Sequence, residues 1–190
     1  GYLDFQDFIY PITKQYHIRP VLFVPTSHVG RGWFWWDQLY QAIYLSSLSS
    51  IETPIGKLPL QKKEDRERAE KQLSYYLKHL AWDRVATEME AIRSAANITF
   101  DMHRSVLNWE ELRSLDQAGV TIAAHTHTHP ILTHMPITQA EKEVNQSQII
   151  IQQEIGHSVP IFEFPDGKAD AFTPEIISLL KAQGFQTVFT

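Results

Sequence analysis

Apolar residues recur along the chain with two different periods, and the switches between them mark out the elements. Leu3, Phe5, Phe8, Ile9, Ile12 and Tyr16 follow helical spacing. The run Pro20-Val21-Leu22-Phe23-Val24 predicts a short buried strand, stopped by Pro25 and a loop from Ser27 to Gly32. Trp36, Leu39, Tyr40 and Ile43 then share one helical face, and residues 46–62 read as irregular, Ser-rich and broken by Pro54, Gly56 and Pro59. From Lys62 to Ala96 charged positions are interleaved with Leu73, Tyr76, Leu77 and Leu80, then Trp82, Val85, Met89 and Ile92, which predicts a helical pair. Too small to hold a core of its own, this pair reads as inserted between strand units, and residues 33–106 as a helical insertion inside one domain spanning 1–190.

Beyond residue 107 the punctuation becomes regular. Asn108 stands three residues before Glu111, the spacing of a capping box, and opens a helix that closes at Gly119 with Leu112 and Leu115 on one face. Val120 to Ala124 is a strand with His125 at its C-terminal end. Thr138 with Glu141 predicts a second capping box at the start of a long helix to Gly156. Pro160 to Phe164 reads as a strand ended by Pro165-Asp166-Gly167, Thr173-Pro174 opens a last helix ending at Gly184, and Phe185 to Phe189 closes as a strand. Strands alternating with helices predict an α/β fold with a parallel sheet, a barrel being one of its forms.

Composition narrows the partners. With 190 residues, 43% hydrophobic and 21% charged, the chain is neither disordered nor fibrous. A net charge of −5 without a basic stripe excludes nucleic acid as the expected partner. The absence of Cys excludes disulfides, thiolate zinc sites and a Cys nucleophile. Ile149-Ile150-Ile151 and its like are too short to predict a transmembrane segment, and Gly1 onward shows no signal-peptide pattern.

The chemistry concentrates at His125-Thr126-His127-Thr128-His129-Pro130. Imidazole is the commonest zinc ligand, and this segment follows a predicted parallel strand, at the end where α/β folds place their sites. An extended segment would put all three His on one face as a three-His metal site, whereas a looped or helical one would bring together only His125 and His129.

Ala124 through Leu132 resembles the His-Thr-x-x-His-Pro-x-Leu motif of the polysaccharide deacetylases, the NodB-homology group. Phe162-Glu163-Phe164-Pro165-Asp166-Gly167 is similar to that family's Phe-x-Tyr-Pro-x-Gly motif. Asn108 to Gly119 matches the helix that precedes the His motif, and Phe34-Trp35-Trp36-Asp37 the start of an insertion in one bacterial branch. The resemblance covers essentially the whole chain. It implies a distorted (β/α) barrel, incomplete at both termini, with the family's Asp-Asp motif expected just before Gly1 and its His acid beyond Thr190.

Carried over residue by residue, the resemblance makes His125 and His129 ligands of a divalent metal, zinc above all, with His127 pointing elsewhere. Thr126 would support the ligands by hydrogen bonding. Asp166 would offer its backbone N–H to the oxyanion, and Pro165 and Gly167 would border the substrate. Glu163 stands where some members carry an Arg that orients the base. The implied reaction is hydrolysis of an N-acetyl group on an amino sugar of a polysaccharide or oligosaccharide at the bacterial cell envelope, with this stretch inactive on its own. Two alternatives stand beside it: a carbohydrate-binding or scaffold domain that keeps the fold, and a related hydrolase of non-sugar amides.

Other residues carry less. Trp33, Phe34, Trp35 and Trp36 suit either a sugar platform or a packed helix start, packing being preferred. Thr99-Phe100-Asp101 imitates the Asp-Asp motif, but Met102 takes the second acidic place. Asp4 and Asp7 read as structural. His17, His28, His79, His103 and His157 are expected on the surface or at caps, and His134 near the cleft.

Overall fold

In a computed structural model the chain runs through α1 (Tyr10–Gln15), β1 (Val21–Val24), α2 (Trp35–Tyr44), β2 (Ser50–Thr53), β3 (Gly56–Pro59), α3 (Lys63–Lys78) and α4 (Trp82–Ala95). It continues through α5 (Trp109–Gln117), β4 (Thr121–Ala124), α6 (Ile137–Ile155), β5 (Ile161–Glu163), α7 (Pro174–Ala182) and β6 (Thr187–Phe189). The structure describes residues 1–101 and 103–190, with only the backbone of Trp82. The expectations placed on Met102 and on the Trp82 side chain therefore lie outside the described residues. Two compact units emerge, Gly1–Gly32 with Arg104–Thr190, and Trp33–His103.

The first unit is built on a parallel sheet in the order β1-β4-β5-β6. Val21 to Val24 pair with Thr121 to Ala124, Ala124 pairs with Phe162, and Ile161 to Glu163 pair with Thr187 to Phe189. Parallel neighbours require a crossover, and α6 and α7 supply it for the last two. A strand covered on both faces reads as an unbroken apolar run, and Ile122, Ala123 and Ala124 are all buried. Leu112 and Leu115 from α5, Val144 and Ile151 from α6, and Ile176 and Leu180 from α7 pack with Leu22, Val24, Ile122 and Phe162 into one core.

Most of the expected helix ends form. Asn108 Oδ1 accepts from the Glu111 N–H at 2.9 Å and Glu111 Oε2 from the Asn108 N–H at 2.7 Å, closing the capping box of α5. Thr173 caps α7 through the Ile176 N–H. The box expected at Thr138 and Glu141 does not form, because α6 starts at Ile137 after Pro136 and Thr138 already lies inside the helix. The first apolar stretch also departs from expectation. It winds as a π-helical turn, Phe5–Ile9, before α1, and leaves Phe8, Ile9, Ile12 and Tyr16 exposed.

In the second unit α2, α3 and α4 enclose Leu39, Ile43, Ile51, Leu60, Leu73, Leu77, Met89 and Ile92. Residues 33–103 thus share one buried cluster, in which the helical pair is completed by Leu39 and Ile43 from α2 and by Ile51 and Leu60. The segment read as irregular also holds a hairpin, with Ser50 paired to Pro59 and Thr53 to Gly56. Gly56 takes φ +107, a conformation that a side chain would strain, at the turn. Ser46 Oγ donates to the Ala96 carbonyl at 2.8 Å, and Arg66 donates to the carbonyls of Ile43 and Ser46, so one guanidinium closes the C-terminal end of α2. Phe34 is buried and stacks on Trp36 at 4.4 Å, with Trp35 edge-on to Trp36, the packed helix start. Among the described residues no helix is long and apolar enough to cross a membrane.

Candidate functional site

Parallel strands bring their C-terminal ends to one edge of the sheet, where the segments after β1, β4 and β5 emerge together. The segment after β4 makes a tight, left-handed excursion. Thr126 has φ 62 and His129 φ 65, a region a β-branched residue rarely enters and one that costs roughly 1–3 kcal/mol per residue. Such backbone persists only where its surroundings over-determine it, and here they do. The fully buried Thr126 hydroxyl donates to the His125 carbonyl at 2.6 Å and accepts from the His129 N–H at 3.0 Å. The Thr26 and Ser27 N–H groups donate to the carbonyls of Thr126 and His127, continuing the β1–β4 ladder past the strand ends.

This turn brings two imidazoles together. His125 Nε2 and His129 Nε2 are 3.0 Å apart, with the rings edge-on at 4.6 Å. His125 Nδ1 donates to the Glu163 backbone carbonyl at 2.9 Å, an acceptor that fixes the proton on Nδ1 and leaves Nε2 as a bare lone pair. Burial pushes His125 down to about 4, against the smaller opposing pull of the Glu163 carbonyl. Burial, then repulsion from His125, holds His129 well below the ordinary histidine range. Both rings are neutral at pH 7, the form that binds a metal. Two neutral imidazole nitrogens converging at the end of a strand are a donor pair suited to zinc or a similar divalent ion. Among the described residues no third His, Cys, Asp or Glu joins them.

His127 turns away. Its Nδ1 shares a hydrogen bond of 2.8 Å with Thr26 Oγ1, so the extended, three-His arrangement does not form. Loop geometry is the reason: with left-handed residues at positions 126 and 129 the segment cannot alternate faces as a strand does.

The segment after β5 carries Pro165, Asp166 and Gly167. Asp166 at φ 71 and Gly167 at φ 57 are successive left-handed residues. At Gly167 a Cβ would stand 2.7 Å from the Thr190 carbonyl carbon, so only glycine fits. Asp166 Oδ2 lies 3.4 Å from Lys168 Nζ. Because Ala124 and Phe162 are paired, this turn and the His turn leave neighbouring strands at the same edge. Glu163 shares that edge: its carboxylate is 3.5 Å from His125 Nδ1, and burial raises its pKa.

Three features escaped the sequence reading. Glu143, on α6, accepts hydrogen bonds from His127 and Thr128 of the His turn. Its only signal is its place beside the buried stripe Ala140, Val144, Ser147 and Ile151, where a carboxylate needs a partner. Thr26 follows β1 and carries no motif. His28, expected at the surface or at a cap, is part-buried in the turn after β1, and burial, aided by Arg31, lowers its pKa to about 4. His134 sits in a short 3-10 turn, Leu132–His134, and the hydroxyl of its neighbour Thr133 donates to the Asp170 carbonyl. Asp101 lies on the second unit, exposed and bonded to His103.

Comparison with known proteins places this architecture. The polysaccharide deacetylase family matches residues 1–188, and the chain belongs to that family. No curated protein matches it. Among solved structures it is similar to IcaB from Ammonifex degensii (17% identity, TM-score 0.56, covering 100% of this chain and 56% of that one). It is also similar to the BpsB deacetylase domain from Bordetella bronchiseptica (13%, 0.53, 99% and 60%). A third is the Streptococcus pyogenes deacetylase PplD, solved with acetate (12%, 0.53, 97% and 49%). At these identities the likeness is one of fold, and the chain spans about half the length of each neighbour.

Proposed function

We propose that this chain supplies the metal-binding and oxyanion-facing part of a metal-dependent deacetylase that removes N-acetyl groups from amino sugars of a polysaccharide or oligosaccharide. The observation that carries the reading is the convergence of the His125 and His129 Nε2 atoms, both neutral, at the carboxyl edge of a parallel sheet. Family membership supplies the class of reaction. His125 and His129 would hold a divalent ion, most simply zinc, which when bound polarises an amide carbonyl and makes water acidic enough to be deprotonated near neutral pH.

The residues of the chain divide the remaining work. The Glu163 carbonyl fixes the His125 tautomer, so its bare nitrogen faces His129 rather than the core. Thr126 holds the turn between the two ligands. The Asp166 backbone N–H donates to the oxyanion of the tetrahedral intermediate, a contribution of roughly 3–4 kcal/mol for a well-placed donor. Pro165 and Gly167 border the acetyl group, the missing Cβ of Gly167 keeping that turn tight.

Calorimetric titration of zinc into the chain tests the reading. Binding lost in both His125→Ala and His129→Ala and kept in His127→Ala is the expected result. Binding that depends on His127 would overturn the ligand assignment. Absence of binding in the unaltered chain would favour a sugar-binding scaffold that keeps the fold. Binding of an N-acetylglucosamine oligomer to the zinc-loaded chain, lost in chelator, tests the substrate class.

A further inference from the structure

We infer that Glu143 is the positioning residue of the metal site: a carboxylate on α6 that sets the left-handed turn through which His125 and His129 meet. The inference rests on the proposed metal site and extends it to a residue outside both motifs.

One carboxylate closes three hydrogen bonds with the turn. Glu143 Oε2 accepts from the His127 N–H at 3.0 Å and from the Thr128 N–H at 2.7 Å, and Oε1 accepts from the Thr128 hydroxyl at 2.8 Å. The two N–H groups belong to the residues between the left-handed Thr126 and His129. A turn of this kind points successive N–H groups in one direction, a concavity that suits an anion. Here the anion comes from the protein. Charge-assisted bonds of this kind are roughly twice as strong as neutral ones, so they can offset the backbone strain at Thr126 and His129.

The clamp also decides which histidines converge. With its N–H held by Glu143, its carbonyl by the Ser27 N–H and its Nδ1 by Thr26, His127 is fixed on three sides and cannot swing toward the pair. His125 and His129 are left as the residues whose rings can meet. Glu143 touches neither ring in the hydrogen bonds it makes, so its effect on them passes entirely through the backbone of the turn. Glutamine at 143 keeps the shape but removes the charge behind these bonds, and one of its two ends becomes an amide NH2 that can no longer accept.

The test compares Glu143→Gln and Thr128→Val with the unaltered chain, and takes Glu141→Gln, on the exposed side of the same helix, as the control. Two readouts are used: zinc affinity by calorimetry, and the nuclear Overhauser effect between the His125 and His129 rings with hydrogen exchange at the His127 and Thr128 amides, both without metal. In Glu143→Gln, zinc binding should weaken about tenfold or more, the range usual for groups that orient metal ligands. The ring contact and amide protection should be lost while far-ultraviolet circular dichroism stays native. Thr128→Val should show a smaller weakening, and Glu141→Gln none. Should Glu143→Gln misfold, Thr128→Val, which deletes one bond of the clamp, carries the same test. Zinc affinity within about twofold of the unaltered chain in both folded variants, with the ring contact intact, would overturn the inference. If the unaltered chain binds no zinc, the metal reading fails, and the inference for the turn is then decided by the metal-free ring contact and amide protection alone.

Discussion

The two units of this chain use similar core residues, yet differ in where they hold their backbone strain. In the unit of residues 33–103, stability comes from Leu, Ile and Met packed between helices and from polar caps such as Ser46 on the Ala96 carbonyl. Among its described residues the one non-glycine residue in left-handed backbone is Asn97, a type that tolerates it well. In the unit that carries the sheet, His17, Thr126, His129 and Asp166 are left-handed; His17 follows α1, and the other three lie in the turns that follow β4 and β5. Hydrogen bonds from Thr126, Glu143 and the end of β1 concentrate on one of those turns. Strain over-determined by surrounding bonds at a sheet's carboxyl edge marks a place where the backbone serves ligand geometry rather than packing.

The largest effect should come from Leu73→Ala, which empties a fully buried position of the 33–103 cluster and should cost roughly 2–5 kcal/mol in urea unfolding. Zinc affinity should stay unchanged, and a matching loss of affinity would show that the site depends on that core. Acid comes next. Burial lowers His125 to about 4 in the folded chain against 6.5 in the unfolded one. The unfolded chain therefore takes up a proton that the folded chain refuses. Stability should be level above about pH 7, fall as pH drops below 6.5, and lose up to about 3 kcal/mol by pH 4, read by urea unfolding in chelator. A curve flat over that interval would mean the rings are not buried and neutral.

Thr126→Val keeps the shape of the side chain and removes its hydroxyl, leaving the His125 carbonyl and the His129 N–H without their partner. The expected cost is about 2 kcal/mol, together with weaker zinc binding. Ser46→Ala is the counterpart in the other unit, where one capping bond should be worth about 1 kcal/mol, with zinc binding untouched. Equal effects of Thr126→Val and Ser46→Ala on zinc would erase the contrast between the units.

How much was legible in the sequence follows from the range of the forces involved. Asn108 with Glu111, Thr173 with Pro174, and the run Thr121 to Ala124 are local signals, and each forms the element it predicts. The His motif was also visible, as three imidazoles within five residues, and so was the Pro165-Asp166-Gly167 turn, as a cluster of chain breakers. Glu143 was not, since its partners lie 15 and 16 positions away and its periodicity is that of an ordinary helix edge. The hairpin from Ser50 to Pro59 was missed because Pro54 and Gly56 read as breakers, whereas here they make its turn. The first apolar stretch follows helical spacing, yet Phe8, Ile12 and Tyr16 are exposed, because periodicity reports the turn of a helix and not what covers it.

X-ray absorption at the zinc edge, on the chain loaded with one equivalent of zinc, counts the imidazoles bound to the ion. The expected spectrum has two histidine nitrogens at about 2.0–2.1 Å, a signal lost in His125→Ala and in His129→Ala and unchanged in His127→Ala. Three imidazoles in the unaltered chain, or a spectrum unmoved by loss of His125, would contradict the ligand assignment.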